Sequence, residues 1–239
     1  MPPNKSQEPN PEKLEKENVR LRGDLLTLGR RVTHDLRTPL GGIAISVELL
    51  KELFAKNDDA KGALQSLESS VDEISRLIKS MSVLAKATAQ PPPLEKVAMG
   101  EIVWVVIQQL ERRALKCGAT VTAPEAWPQV AGHPGLLEFI WWNLLANALQ
   151  HGGLTIRLDW SKEKDHFRFW VHDNGQGVTE ETRALLFQPF DTLHQTNSTR
   201  GLGLSIVRRL VDLQNGRCGY EAHADGGPCF FFELPEMKG

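Results

Sequence analysis

The sequence predicts an α+β chain: a helical hairpin suited to a four-helix bundle, followed by an α/β sandwich. Three observations carry this. Largely apolar stripes with spacings of three and four run over Leu14–Val32, Leu40–Phe54 and Leu64–Ala85. Three consecutive prolines, Pro91-Pro92-Pro93, then interrupt the chain. Beyond them, alternating strand-like segments mix with helical ones.

Residues 1–11 hold four prolines and little that is apolar, so they read as a disordered tail or linker. From Glu12, the residues Leu14, Asn18, Leu21, Leu25, Leu28 and Val32 form a seam, with Asn18 at a position where a polar residue fixes register. The stripe continues through Leu40, Ile43, Val47, Leu50 and Phe54 until Lys56-Asn57-Asp58-Asp59 breaks it. A second stripe runs through Leu64, Leu67, Val71, Ile74, Ile78, Met81 and Ala85. Two such helices make an antiparallel hairpin, and their narrow apolar faces call for a second copy to cover them. Residues 12–90 are thus expected as a dimeric helical domain, and 91–239 as a second domain.

In that second part, Leu94 to Ala98 reads as a strand and Gly100 to Lys116 as a helix. Thr120 to Ala123 reads as a short strand, and Pro134 to Gln150 as a helix. Leu154–Trp160 and Phe167–His172 read as strands, the latter alternating in period two. A glycine-rich polar stretch spans Asp173 to Arg200, a helix covers Leu202 to Leu213, and strands fall around Gly219–His223 and Cys229–Leu234. About 145 residues of this kind suffice for their own core.

Composition narrows the function. Lys and Arg total 28 against 30 Asp and Glu in 239 residues, a formal charge of −2, which argues against a nucleic-acid binder. Cys117, Cys218 and Cys229 are too few and scattered for a disulfide framework or metal site, so a reducing compartment is the simpler reading. The run Ile102-Val103-Trp104-Val105-Val106-Ile107 falls far short of the roughly 20 residues a membrane helix needs. The start, Met1-Pro2-Pro3-Asn4-Lys5, has no apolar signal core. A cytoplasmic chain with no membrane span is expected.

Four constellations could carry chemistry. In His34-Asp35-Leu36-Arg37-Thr38-Pro39-Leu40, His34 lies just past the seam, and an imidazole with pKa about 6.5 is largely neutral and nucleophilic at pH 7. Thr38 shares its helix face at i+4, and Pro39 loosens the backbone beside it. In Asn143-Leu144-Leu145-Ala146-Asn147-Ala148-Leu149-Gln150-His151, two amides on one helix face offer oxygens to a hard cation. Asp173-Asn174-Gly175-Gln176-Gly177 follows a strand, where the carboxylate could accept from an exocyclic amine; the same triplet is also a common hairpin turn. Gly201-Leu202-Gly203-Leu204 opens a helix whose first amides suit phosphate.

In this order the boxes resemble the sensor histidine kinases of two-component signalling, over about residues 12–235. His34 to Leu40 is similar to the phosphoacceptor box, Asn143 to Asn147 to the asparagine box, and Asp173 to Gly177 to the first glycine box. Phe187-Gln188-Pro189-Phe190 resembles the phenylalanine box, Gly201 to Leu204 the second glycine box, and Asp225-Gly226-Gly227 the last glycine turn. The resemblance implies a GHKL (Bergerat) ATP-binding sandwich and a protein-histidine kinase. His34 would be autophosphorylated, Asp35 would act as general acid/base, and Thr38 would position water in a reverse phosphatase reaction. Asn147, with Asn143, would hold Mg²⁺ against ATP, and Asp173 would recognise adenine. His151, Gly175, Gly177, Phe187, Arg200, Gly201, Leu202, Gly203 and Leu204 would complete the ATP site, with residues 178–200 as a mobile lid. The implied partners are a second copy, a response-regulator receiver domain, and an upstream sensory protein or domain.

Two residues depart from the family pattern. Gln150 stands where Lys or Arg is usual beside the phosphates, and Arg200 precedes the second glycine box, where it could supply the charge that Gln150 lacks. The rival reading is a catalytically impaired dimeric scaffold, for which Gln150 is the best support. A plain ATPase is disfavoured, because Asn143 stands where hydrolytic relatives carry a Glu to activate water.

Overall fold

A computed structural model describes residues 36, 40–54, 57–179, 183, 186–187, 202–222 and 227–236. The chain divides into two compact units, residues 1–91 and 92–239. The seam at 14–32, His34, Asp35, Thr38, Arg200, Gly201 and the pair Asp225-Gly226 lie outside the described residues.

The first unit is a pair of helices, α1 over residues 40–53 and α2 over Asp58–Ala89. Asn57 caps α2, its side-chain oxygen accepting from the Ala60 N–H at 3.1 Å. Lys51 on α1 reaches Glu68 on α2 at 3.0 Å, and Leu40 clusters with Val71 and Ile78. Those pairings run in opposite senses along the two helices, which makes them antiparallel. Leu40, Val47, Leu64, Val71 and Ile78 are buried. The alternate members of the same stripes, Ile43, Leu50, Phe54, Leu67, Ile74 and Met81, remain exposed. One heptad row faces the neighbouring helix and the other faces away from it.

In the second unit, β1 (Glu95–Ala98) pairs antiparallel with β3 (Gln129–Gly132), bracketing α3 (Met99–Cys117) and β2 (Thr120–Thr122). Then follow α4 (Pro134–His151), β4 (Thr155–Glu163), β5 (His166–Asp173), α5 (Leu202–Asp212), β6 (Arg217–Ala222) and β7 (Pro228–Pro235). The main sheet has the order β2-β4-β5-β7-β6, with β2 parallel to β4 and the other pairs antiparallel. The strand β3 is not signalled by alternation: it follows Pro128 and has only four residues. Gly118 ends α3 in the left-handed region, with φ 68°, a conformation costly for residues with a Cβ.

Helix α4 is apolar nearly all round and is the buried helix of the layer. Its Trp141 is fully buried and meets Trp127, Phe169 and Phe232 edge-on at centroid distances of 5.5, 6.1 and 5.2 Å. The Trp141 indole N–H donates to Met99 Sδ at 3.1 Å, so the polar tip is satisfied inside the core. Gln214, also fully buried, accepts from the His133 backbone N–H at 2.9 Å and ties the start of α4 to the end of α5.

On the opposite face of the sheet, Glu233 is ion-paired with Arg217 and Arg168. Arg168 also reaches Glu221 at 3.0 Å and lies over the Phe231 ring at 4.4 Å. Burial pushes the Glu233 carboxyl up, but its bonds from Arg217 and Arg168 outweigh that and hold it below the usual carboxylate value.

Candidate functional site

The alternation of β5 sets the site. Phe167, Phe169 and Val171 point into the core, and Asp173 continues that row at the strand's end. A carboxylate is thereby carried to 2% exposure. It accepts from the Gly175 N–H at 2.9 Å, and the Gly153 N–H also bonds it. Burial pushes the Asp173 carboxyl above its ordinary value; the Gly175 and Gly153 amides and the nearby His172 and His151 pull the other way without cancelling it. A carboxylate bonded to two amides keeps lone pairs for a further donor.

Glycines make the room. A Cβ at Gly152 would come within 2.6 Å of Asp173 Cγ, and one at Gly175 within 2.7 Å of Asp173 Oδ1. A side chain at Gly227 would run into the backbone of Asp173. The carboxylate therefore sits in a cradle made by the end of α4, the turn after β5 and the entry to β7. Neighbouring Asn174 closes the floor: its Oδ1 accepts from the Thr155 N–H at 2.9 Å.

Across α4, Asn143 donates from Nδ2 to the Phe139 carbonyl at 2.7 Å, which turns Oδ1 outward. A Cβ at Gly203 would stand 3.0 Å from that oxygen, so the glycine lets α5 approach the amide. Asn147, one turn on, is half-buried. The structure thus joins Asn143 with Gly203, and Asp173 with Gly175. Gly177 is exposed beyond the cradle, and His151 is exposed at the end of α4. Phe187 packs edge-on to Phe230 at 6.4 Å. Leu202 opens α5, and the Leu204 side chain is in the core. Among the described residues no group of three or more His, Cys, Asp and Glu side chains could hold a metal ion.

Two features escaped sequence reasoning. Gly152 and Gly153 shape the cradle, and their only signal was a glycine pair directly after a helix. Arg113 of α3 donates to Gln150 Oε1 at 3.3 Å, so a guanidinium does reach this part of α4, brought from 37 residues upstream.

Comparison with known proteins adds the wider context. Residues 132–238 match the family described as histidine kinase-, DNA gyrase B-, and HSP90-like ATPase, and residues 25–90 match the His Kinase A (phospho-acceptor) domain. The methanogenesis regulatory histidine kinase FilI of Methanothrix harundinacea is 30% identical over 210 residues, covering 85% of this chain and 24% of that one. Sensor histidine kinase CpxA of Escherichia coli is 26% identical over 218 residues, covering 87% of this chain and 46% of the relative. The chain thus spans less than half the length of either. Among solved structures, full-length ShkA in complex with AMPPNP superposes with a TM-score of 0.65 at 25% identity, over 89% of this chain and 46% of that one. The catalytic domain of histidine kinase ThkA shares the fold at a TM-score of 0.53 and 23% identity, over 61% of this chain and 97% of that domain.

Proposed function

The chain belongs to the sensor histidine kinases of two-component signalling, and from that membership we propose that it phosphorylates its own His34 from ATP and passes the phosphoryl group to an Asp of a response-regulator receiver domain. The observation that carries the nucleotide half is the buried Asp173 carboxylate in its glycine cradle. A buried acceptor in a glycine cradle suits the exocyclic amine of adenine, and full-length ShkA, solved in complex with AMPPNP, supports nucleotide binding.

In this reading the neutral His34 imidazole attacks the γ-phosphorus, ADP leaves, and Asp35 takes part as general acid/base. Thr38 orients the water that hydrolyses the regulator's phosphorylated Asp, releasing phosphate, in the opposing phosphatase reaction. Gly175 and Gly177 line the adenine end, and the first turn of α5, with Leu202, Gly203 and Leu204, offers its amides to phosphate, Gly201 preceding it in sequence. Asn147 and Asn143 fit Mg²⁺ through their amide oxygens, and the ion supplies charge neutralisation on the triphosphate when bound. An amide at 143 cannot take a proton from water, which favours transfer to His34 over hydrolysis. We assign His151, Phe187 and Arg200 to the same site on the family resemblance.

Gln150 supports an impaired scaffold less well once Arg113 stands at 3.3 Å from it. We assign residues 12–90 to dimerisation and phosphotransfer, residues 91–239 to catalysis, and residues 1–11 to a tail or linker. The exposed apolar rows of α1 and α2 support a homodimer, and residues 14–32 extend their heptads as a coiled coil. Cys117, Cys218 and Cys229 are free, which supports a cytoplasmic setting. No helix among the described residues is long and apolar enough to cross a membrane. In this reading an upstream sensory protein or domain supplies the input.

The test is incubation with Mg-ATP followed by mass spectrometry for an acid-labile phosphate. His34→Gln should abolish the label and leave ATP affinity unchanged. Undiminished labelling of that variant would refute the assignment.

A further inference from the structure

We infer that Tyr220, the chain's sole tyrosine, is a positioning residue that fixes the exit of the nucleotide loop from a strand outside the site. This rests on the nucleotide reading above. Tyr220 lies on the edge strand β6, opposite Phe230 of β7 in the ladder. Its hydroxyl oxygen accepts from the Val178 backbone N–H at 3.2 Å, and Val178 directly follows Gly177. The Arg183 guanidinium sits over the Tyr220 ring at 5.5 Å, and its Nη2 donates to the Tyr220 carbonyl at 3.4 Å. The ring also packs edge-on to Phe230 at 5.3 Å, and Phe230 in turn meets Phe187 at 6.4 Å.

One side chain therefore meets the segment leaving the loop at 178 and 183 directly, and at 187 through Phe230. Those points follow Asp173 in sequence, but the anchor comes from a strand that makes none of the contacts to its carboxylate. Holding Val178 limits how far the Gly175–Gly177 backbone can drift from Asp173. Pre-organisation of that kind lowers the ordering cost of binding without touching the transferred group.

Tyr220→Phe in the full chain keeps the ring and removes the hydroxyl. In the unliganded protein, hydrogen exchange at 174–179 should rise at least threefold, while 134–151 and 202–212 keep their rates. KM for ATP in His34 labelling should rise by about threefold to tenfold, as expected for one lost neutral hydrogen bond. The rate at saturating ATP should hold. Unchanged exchange at 174–179 would overturn the inference, and so would a lower saturating rate with KM unmoved. If the parent chain binds no ATP, the nucleotide reading fails, and the exchange comparison alone decides Tyr220.

Discussion

Asp173 shows how a strand's period can place a charge where water would not. Its folded pKa is raised by burial above the unfolded value, so ionisation costs stability. That cost grows as pH rises from the unfolded pKa through the folded one, and it persists at neutral pH. Asp173→Asn should therefore leave the melting temperature of the unliganded protein at pH 7 equal or higher. ATP affinity should fall at least about thirtyfold, for a charge-assisted bond worth about 2 kcal/mol. Calorimetry against pH checks the sign in the parent chain: affinity should drop as pH falls through the raised carboxyl pKa. Asn143, Asp173, Gly175 and Gly203 were legible because each box is local in sequence. Arg113 beside Gln150 and Tyr220 beside Val178 were not, since those contacts join residues 37 and 42 positions apart. Nothing in a helical or strand period points from one to the other.

At the level of elements, the two rows of the helical hairpin separate stability from association. Leu64 is buried inside the hairpin, whereas Ile74 on the same helix faces outward at 45% exposure. Leu64→Ala should lower stability by about 2–3 kcal/mol and leave the oligomeric state alone. Ile74→Glu should keep its helicity and turn a sedimenting dimer into a monomer. A dimer that persists at micromolar concentration would mean that the outward row is not the contact. The sheet's charged face gives a second test. The folded pKa of Glu233 is depressed, so its stabilising contribution is present above the unfolded carboxylate pKa and is lost as pH falls through the folded value. Glu233→Gln should lower stability at neutral pH, because it removes the charge that pairs with Arg168 and Arg217, and should flatten the acid limb of a urea-melt series. The bounds of α3 and α4 could be read within two residues, because capping and breaking signals are local: Gly118 stops one helix and Pro134 opens the other. The strand β3 could not, because its pairing with β1 joins residues more than thirty apart and its burial depends on that pairing.

For the whole chain, the boundary between 91 and 92 is itself testable. Residues 92–239 expressed alone should fold and bind ATP with unchanged affinity while taking no phosphate. Added to residues 1–91, they should restore labelling of His34, scored by acid-labile phosphate on the shorter piece. Retained label on the isolated 92–239 piece would contradict the division of labour. The broad plan was legible because Pro91-Pro92-Pro93 separates two kinds of hydrophobic period; the order of the sheet was not, because strand neighbours are set by tertiary closure. That order has a consequence during synthesis. Strand β5 receives β4 on one edge through a two-residue turn, but its other edge waits for β7, beyond residues 174–227. Closing so long a loop carries an entropic cost that only the last pairing repays, and such pairings form slowly. The glycine cradle around Asp173, which the entry to β7 helps to form, should therefore stay open on the ribosome until residue 235 has emerged. A nascent chain stalled before β7 is not a smaller working domain: it presents a bare, aromatic strand edge of the kind chaperones must shield.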